Sequence, residues 1–510
     1  MKSGRVGLGT AAAIVSGSVL LSRLLGLLRE TLLAALLGVT AEGDVYRYAF
    51  LLPDLLNYLL AGGFLSITLI PLLARRSEEG NELQTQADFT AVFRWVAAGI
   101  IVLTAALMVG TEPIARLAFG SLAESDLAEV VRLTRIVLPA QVCFVLGSLF
   151  MAFQYVQRRF LLPALAPLIY NLGIIVGGVV TSARAEDRAD GFIWGALGGA
   201  VIGNLLLQWF GAARAGLRFT RGPSKALPAY LALAFPLMVG QSVAVLDEQF
   251  PRLFGQLAED GATTALSLAR MLNMLPVGII AQAAAVASFP FLARLVAARN
   301  EPETERLTDR ALRGSTVASF LALALVVGAS RPLVSLVYEW GRFATADTDV
   351  VSGLLVVFGF AIPAWAIHQV LSRWFYAHER VWRPVIIGTA ATVIAIPLSF
   401  WFFDLFGLTG IALASTAVMW IYTIALAASW TKGRGDRWQG LASLVGRVLV
   451  PTAAAAWGVR LLVDQAPDSG PVVRLLTCVV AGLVGIGIFS LLGRALRLEE
   501  ASPGWWRGRS

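Results

Sequence analysis

Residues 8–37 read LGTAAAIVSGSVLLSRLLGLLRETLLAALL, an almost continuous apolar run with only three charged side chains. A membrane-spanning helix needs about 20 mostly apolar residues. The apolar core of a cleavable signal peptide is shorter, roughly 7–15 residues. We therefore predict that this run is a first spanning helix, with Lys2 and Arg5 before it as cytoplasmic anchors.

The rest of the chain has the same apolar character. Of its 510 residues 57% are hydrophobic and only 15% are charged, with a formal net charge of +8. Soluble domains carry about 25% charged residues. This composition excludes a soluble enzyme, a nucleic-acid-binding protein and a disordered scaffold. The two cysteines (Cys143, Cys478) and two histidines (His368, His378) are too few for a disulfide framework or a histidine-based metal centre. We predict no metal and no cofactor.

Apolar segments recur along the whole sequence, joined by short connections. The predicted spans are 8–37, 45–74, 90–111, 127–156, 160–182, 191–213, 227–255, 263–294, 311–331, 349–377, 384–404, 408–430, 441–463 and 473–494. Arginines and lysines concentrate in every second loop, whereas the loops at 38–44, 256–262 and 405–407 contain none. Basic residues favour cytoplasmic loops. The sequence thus predicts an all-α polytopic membrane protein with fourteen spans and both termini in the cytoplasm.

Three short matches recur in order at nearly one offset and indicate an internal duplication. Pro71 and Arg75 match Pro290 and Arg294 at 219 residues; Gly120, Ala123 and Asp126 match Gly341, Ala344 and Asp347 at 221; Tyr155, Arg159 and Pro163 match Tyr376, Arg380 and Pro384 at 221. We predict two parallel six-helix repeats: an N-lobe at 1–222 and a C-lobe at 223–435. Residues 436–510 contain the two remaining spans and a cytoplasmic tail. Parallel repeats are typical of transporters that bind substrate near the membrane midplane.

Several charged and polar side chains lie within predicted spans, where an isolated charge costs about 2.5–3.5 kcal/mol. They are Arg23 and Arg29 in the first span; Arg47, Asp54 and Asn57 in the second, with Asp44 immediately before it; Asp247 and Glu248 in the seventh; and Arg270 and Asn273 in the eighth. Arginine binds phosphate bidentately. The arginines therefore favour a cationic cavity for an anionic substrate. Local ion pairing is the alternative, with Arg23–Glu30, Arg29–Asp44 and Glu248–Arg252 as the candidate pairs.

These segments resemble the MurJ/MviN family of lipid II flippases, in the multidrug/oligosaccharidyl-lipid/polysaccharide exporter superfamily. The resemblance is carried by SRLLGLLRETLLAALLG (22–38), FLLPDLLNYLLAGGFLSITLIPLLA (50–74), QYVQRRFLLPALAPLIYN (154–171), LARMLNMLP (268–276), EWGRF (339–343) and FYAHERVWRP (375–384). It implies translocation of undecaprenyl-pyrophosphate-linked peptidoglycan precursor across the bacterial inner membrane by alternating access. It also implies cavity roles for Arg23, Arg29, Arg270 and Asp44, and a lipid-tail groove at the last two spans.

The sequence departs from the family pattern at Asp54, Asn57, Leu51, Gly62 and Asn273, while Arg47 is an additional cation. An exporter of another lipid-linked oligosaccharide therefore stays open as the alternative substrate assignment. Asp247, and Glu248 beside it, are the candidates for ion coupling. The expected partners are the lipid-linked substrate, membrane lipids and cell-wall synthesis or division proteins.

Three other function classes fit the residues less well. A drug exporter for organic cations needs carboxylates in its cavity, whereas arginines lead here. A membrane enzyme needs acidic or histidine-containing catalytic loops, and the predicted outer loops are short and contain no histidine. A purely structural partner in cell-wall assembly leaves the arginines within the membrane unexplained. We therefore predict a transporter and not an enzyme.

Overall fold

Long apolar helices make up most of the chain. A computed structural model describes residues 8–57, 64–182, 188–220, 222–224, 226–232, 249–281, 287–432, 435–467, 470–498 and 500. All regular elements assigned within those residues are helices. They divide between two compact units, Met1–Gly261 with Trp340–Arg342, and Ala262–Glu339 with Phe343–Ser510. The lobe boundaries at 222 and 435, which come from the repeat, stay a prediction.

Within the described residues of the first unit, ten α-helices and one π-helical segment have defined bounds. They are α1 (Leu8–Leu37), α2 (Ala41–Ala49), α3 (Leu51–Leu56), α4 (Phe64–Glu78), α5 (Glu82–Ala118), α6 (Glu124–Val137), α7 (Ala140–Val156), α8 (Leu161–Ser182), α9 (Arg188–Gly199), the π segment (Ala200–Leu206) and α10 (Leu207–Arg214). Residues 249–255 are also helical. Helix α1 packs along α8, α2 packs on α6, and α4 and α5 pack on α7.

The described part of the second unit contains ten further α-helices with defined bounds. They are α11 (Ala262–Ala281), α12 (Ala287–Ala297), α13 (Glu301–Gly328), α14 (Ser330–Tyr338), α15 (Thr345–Gly359), α16 (Ile362–Ala377), α17 (Trp382–Phe406), α18 (Leu408–Thr431), α19 (Gly435–Gln465) and α20 (Gly470–Ala495). Helix α13 packs between α16 and α19, α17 pairs with α18, and α19 pairs with α20.

Ten helices of the described residues are long and apolar enough to span a membrane, or eleven if the bent pair α15–α16 is one span. These eleven correspond to predicted spans three to six and eight to fourteen. The first predicted span is the 30-residue helix α1. Most of the seventh, 227–255, lies outside the described residues. The structure thus supports a polytopic helical membrane protein, and the full count of fourteen stays a prediction.

The second predicted span, 45–74, is not one continuous helix. Helix α2 ends at Ala49, and α3 begins at Leu51 after Phe50. Pro53 causes the interruption, because its ring clashes with the carbonyl group four residues earlier, which is that of Ala49. The break places Arg47 and Asp54 on two separate short helices.

A stripe of glycines allows α8 and α9 to pack at close range. A Cβ atom on Gly177 would lie 2.1 Å from the Gly191 carbonyl oxygen, and one on Gly195 would lie 2.3 Å from that of Gly173. Small residues at four-residue spacing are typical of close helix contacts in membranes. This packing fixes α8, which carries Asn171, within the first unit.

The duplication predicted from the sequence is matched by local geometry. Asn81 and Asn300, 219 residues apart, are both N-cap residues whose side chains accept a backbone N–H three residues later, at 3.1 and 3.3 Å. Arg158 and Glu379, 221 residues apart, both have positive φ angles, of 56° and 58°. These caps and turns recur at the offsets of the sequence matches, and the six-helix repeat stays a prediction.

Candidate functional site

Two arginines share one buried carboxylate in the first unit. The Arg29 Nη2 atom lies 2.8 Å from Glu30 Oε1, and the Arg47 Nη2 atom lies 3.0 Å from Glu30 Oε2. Helix α8 contributes Asn171, whose Oδ1 atom accepts a hydrogen bond from Arg29 at 3.1 Å. The side chains of Glu30 and Arg47 are 9% and 10% exposed, whereas that of Arg29 is 25% exposed. Arg29 is therefore the more accessible of the two cations.

The Nε atoms of both arginines are buried and have no hydrogen-bond partner among the described residues. An arginine presents five N–H donors in a fixed fork. The shared carboxylate thus satisfies only part of the donor capacity of Arg29 and Arg47. Unused donors beside a net positive charge are suited to an anionic ligand.

A second ion pair lies in the same unit. Arg252, in the helical stretch 249–255, places its Nη1 atom 2.7 Å from Asp54 Oδ2 on α3. The same nitrogen donates to Gln249 Oε1 at 2.5 Å. Asp54 is therefore used, at least in part, to hold Arg252.

Both ion-paired groups line one cavity of about 540 Å³, a volume within the usual range for ligand sites. Its lining residues are Arg29, Glu30, Tyr46, Arg47, Phe50, Asp54, Asn57, Gln141, Phe144, Met151, Tyr155, Pro163, Ala166, Pro167, Tyr170, Ile174, Asn204 and Arg252. Three arginines and two carboxylates give the cavity one net positive charge. Its remaining surface combines aromatic, apolar and amide side chains.

Of the site residues predicted in the first unit, four line this cavity: Arg29, Arg47, Asp54 and Asn57. Asp44 is not among its lining residues; it is 4% exposed, and its Oδ2 atom accepts the Gly261 N–H at 2.8 Å. Gly261 has a φ of +88°, and a Cβ there would lie 2.5 Å from the Val39 carbonyl oxygen. Asp44 thus fixes a tight turn that only glycine fits.

Arg23 is an exposed residue of α1 and is not among the lining residues either. It lies six residues before Arg29, about 9 Å along the helix axis. The candidate ion pair Arg23–Glu30 is wrong, because the Glu30 carboxylate binds Arg29 and Arg47 instead. Arg29, for which Asp44 is the other candidate partner, binds Glu30 and Asn171.

Arg270 and Asn273 belong to the second unit, on α11. Arg270 is half-buried. Asn273 is 1% exposed, and neither its Oδ1 nor its Nδ2 atom has a hydrogen-bond partner among the described residues. Such an orphaned amide is rare and costly in a protein interior. Asp247 and Glu248, the candidates for ion coupling, lie outside the described residues, as does the candidate pair Glu248–Arg252.

A comparison with known families decides the wider assignment. Residues 33–480 match the family model described as lipid II flippase MurJ. The chain belongs to the lipid II flippase MurJ family.

A curated relative agrees with the MurJ assignment. The probable lipid II flippase MurJ of Rhizobium meliloti is 26% identical over 463 residues, which cover 89% of this chain and 86% of that protein.

Solved structures share the MurJ-type fold. One, described as lipid II flippase MurJ in an inward closed conformation, matches with a TM-score of 0.78 at 21% identity, over 95% of this chain and all of the other. An inward-facing transporter of the multidrug resistance MATE family, in the MOP superfamily, matches with a TM-score of 0.67 at 14% identity. That match covers 83% of this chain and 95% of the transporter. Both likenesses show the fold.

The cavity of this MurJ-family chain contains polar residues that sequence reasoning did not select. Gln141 and Asn204 line it although no charge marks them. Asn171 occurs in the sequence analysis only as the last residue of the stretch 154–171, one of those that carry the family resemblance. The sequence offers Glu248, four residues earlier, as the candidate partner of Arg252, whereas the structure pairs Arg252 with Asp54, almost two hundred residues earlier. Amides within apolar segments are the signal that could have found Gln141, Asn171 and Asn204.

Proposed function

We propose that this chain translocates lipid II from the cytoplasmic to the outer leaflet of the bacterial inner membrane by alternating access. Membership of the MurJ family supports the substrate class. The observation that carries the proposal is the cavity in which Arg29 and Arg47 share one carboxylate and retain unused donors. A pyrophosphate supplies the charge and the acceptor oxygens that such donors bind. The process needs no catalytic residue, and we assign none.

Each predicted site residue has a proposed role in this cycle. Arg29 and Arg47 bind the pyrophosphate, while Asp54 and Asn57 bound the same cavity. Arg23, Arg270 and Asn273 contact substrate in other steps of transport, and Asp44 secures the Gly261 turn. Asp247 and Glu248 are proposed for ion coupling.

We propose the fourteen-span topology with both termini in the cytoplasm, because arginines and lysines follow the positive-inside pattern. The last two spans, α19 and α20, are proposed to accommodate the lipid tail. Large apolar side chains on α20 support this role, since Leu483 and Leu491 are 65% and 67% exposed. Single-cysteine labelling from each side of the membrane tests the topology.

Rescue of a flippase-depleted bacterial strain tests the function. We expect the unmutated chain to restore growth, and Arg23→Ala, Arg29→Ala and Arg270→Ala to abolish rescue while protein remains in the membrane. Arg94→Ala is the matched control, because Arg94 is an exposed arginine of α5 that does not line the cavity. Full rescue by all three of these arginine variants would contradict the proposal.

One observation favours a second candidate substrate, another lipid-linked oligosaccharide. Asp54 departs from the family pattern, and it binds Arg252 at 2.7 Å, so one cavity cation is committed to a carboxylate. A proteoliposome assay with lipid II and with a second undecaprenyl-pyrophosphate-linked oligosaccharide separates the two. Transport of the second substrate alone would replace the lipid II assignment. Cell-wall synthesis or division proteins are proposed partners, which cross-linking in cells tests.

A further inference from the structure

One wall of the cavity contains two orphaned amide groups. Gln141 on α7 is 3% exposed and Asn204 in the π segment is 7% exposed. The Gln141 Oε1 acceptor and the Asn204 Nδ2 donor have no hydrogen-bond partner among the described residues. Burying an unsatisfied polar group is unfavourable, and each such group in a native structure calls for an explanation. Both residues line the cavity, so a ligand there is the available partner.

One of the two amides, that of Asn204, lies in an unusual local arrangement of the backbone. Residues Ala200–Leu206 form a π-helical segment, a rare element that is often found at functional sites. The segment lies against α7 at Gly147, where a Cβ atom would be 1.9 Å from the Asn204 carbonyl oxygen. Gly147 therefore permits a contact that any other residue would prevent.

The two orphaned groups complement a secondary amide, because one accepts and the other donates a hydrogen bond. Gln141 on α7 and Asn204 in the π segment line the same cavity. One secondary amide of a ligand supplies the partner that each of the two groups lacks.

The neighbouring surface favours an amide carried on a sugar. Phe144 and Tyr170 line the same cavity, in an edge-to-face pair with ring centroids 5.0 Å apart. Aromatic rings offer an apolar face of the kind against which the C–H face of a pyranose packs. Tyr170 immediately precedes Asn171, which accepts the hydrogen bond from Arg29. The amide and aromatic wall is therefore continuous with the arginine end of the cavity.

We infer that Gln141 and Asn204 form a subsite for an N-acylated amino sugar attached to the pyrophosphate. This inference rests on the proposed function, since it places the phosphates at Arg29 and Arg47. The acyl N–H donates to Gln141 Oε1, and the acyl carbonyl oxygen accepts from Asn204 Nδ2. The subsite adds recognition of the sugar to a cavity that would otherwise select its ligand by charge alone.

Equilibrium binding to the purified full chain in lipid nanodiscs tests the subsite with three probes. The first is undecaprenyl pyrophosphate, the second carries an N-acetylated amino sugar, and the third carries the 2-deoxy sugar without the acylamino group. We expect the wild-type chain to bind the second probe about tenfold more tightly than the third, as a site built to hydrogen-bond a group rejects an analogue without it. Gln141→Met and Asn204→Leu should each weaken the second probe about fivefold to tenfold and leave the first unchanged.

Ser148→Ala is the matched control, because Ser148 is a buried polar residue of α7 that does not line the cavity. If Asn204→Leu does not fold, Gln141→Met decides the question. Equal loss of the first and second probes would mean that the amides only support the fold, and would overturn the inference. Unchanged binding of every probe would overturn it as well.

A fourth probe separates the sugar from the other source of secondary amides, a peptide attached to the sugar. If Gln141→Met weakens only the peptide-bearing probe, the assignment to the sugar is wrong. Failure of the proposed function has a different signature, because the wild-type chain would then not bind even undecaprenyl pyrophosphate in a manner that depends on Arg29.

Discussion

Replacing Glu30 by glutamine tests whether one carboxylate stabilises both cavity arginines. Glu30 lies 2.8 Å from Arg29 and 3.0 Å from Arg47, and is 7% exposed. Two unit charges about 4 Å apart interact by about 4 kcal/mol at an effective dielectric constant of 20. Removing one partner of a buried ion pair typically costs 3–5 kcal/mol, because the remaining charge stays desolvated. We expect Glu30→Gln to lower the free energy of unfolding by about 3–5 kcal/mol.

A double-mutant cycle isolates the Glu30–Arg47 interaction. The three residues together have a net charge of +1, which becomes +2 in Glu30→Gln and 0 in Arg47→Met. It returns to +1 in the double variant. We therefore expect the double variant to be more stable than the sum of the two single effects predicts, by at least about 2 kcal/mol.

Denaturant unfolding in detergent micelles, followed by tryptophan fluorescence, measures these differences. Glu112→Gln is the control, because the Arg116–Glu112 pair is about half exposed on both sides and such pairs contribute about 0–1 kcal/mol. Single effects that add to within about 0.5 kcal/mol would refute the shared-carboxylate argument. A Glu30→Gln chain as stable as wild type would refute it too.

Two further predictions concern helix packing and the pH dependence of stability. Gly195→Ala should destabilise the first unit, because the new Cβ atom would clash with the Gly173 carbonyl oxygen. Gly198→Ala on the same helix should be neutral, because a Cβ atom there has no neighbour within 4 Å. Thermal unfolding of both variants checks this prediction. Burial alone would raise the pKa of Glu339, but hydrogen bonds from Thr348, Ser335 and Arg474 outweigh it and lower the pKa below the usual 4.5. The stabilisation from the Glu339 carboxylate is therefore present above pH 4.5 and is lost as the pH falls through the lowered pKa. Glu339→Gln should reduce the dependence of the free energy of unfolding on pH below 4.5. The same pH dependence in the variant and the wild-type chain would contradict the role given to Glu339.

The sequence predicted the helices well, because an apolar run of spanning length can satisfy its backbone in lipid only as a helix. It predicted one cavity for Arg29, Arg47, Asp54 and Asn57 together with four other residues. The first four line the cavity of the first unit, whereas Arg23, Asp44, Arg270 and Asn273 are not among its lining residues. It did not predict which charges pair. Local spacing suggested Arg23–Glu30, a contact along one helix stripe. The observed ion pair, in which Arg47 donates to Glu30, depends on how α2 packs beside α1 after the turn at Gly38.

The Arg252–Asp54 pair shows the same limit over a longer distance. Nothing in the helical periodicity of residues 249–255 points to a carboxylate almost two hundred positions earlier. The interruption before Pro53 is needed to place Asp54 on its own short helix. Gln141 and Asn204 were missed for another reason: neutral amides in apolar runs are usually satisfied within the protein. Only the structure shows that Gln141 Oε1 and Asn204 Nδ2 have no hydrogen-bond partner in the part of the chain that it describes.

Because the charges in the cavity are only partly paired, the site can be stable and can still bind an anion. Glu30 offsets part of the cost of burying Arg29 and Arg47, and Asp54 does the same for Arg252. A third carboxylate would neutralise the cavity and remove its preference for anions. With no carboxylate, three uncompensated arginines would repel one another at membrane depth. Two carboxylates for three arginines leave one positive charge in the cavity, and the proposed pyrophosphate ligand can bind that charge without breaking either ion pair.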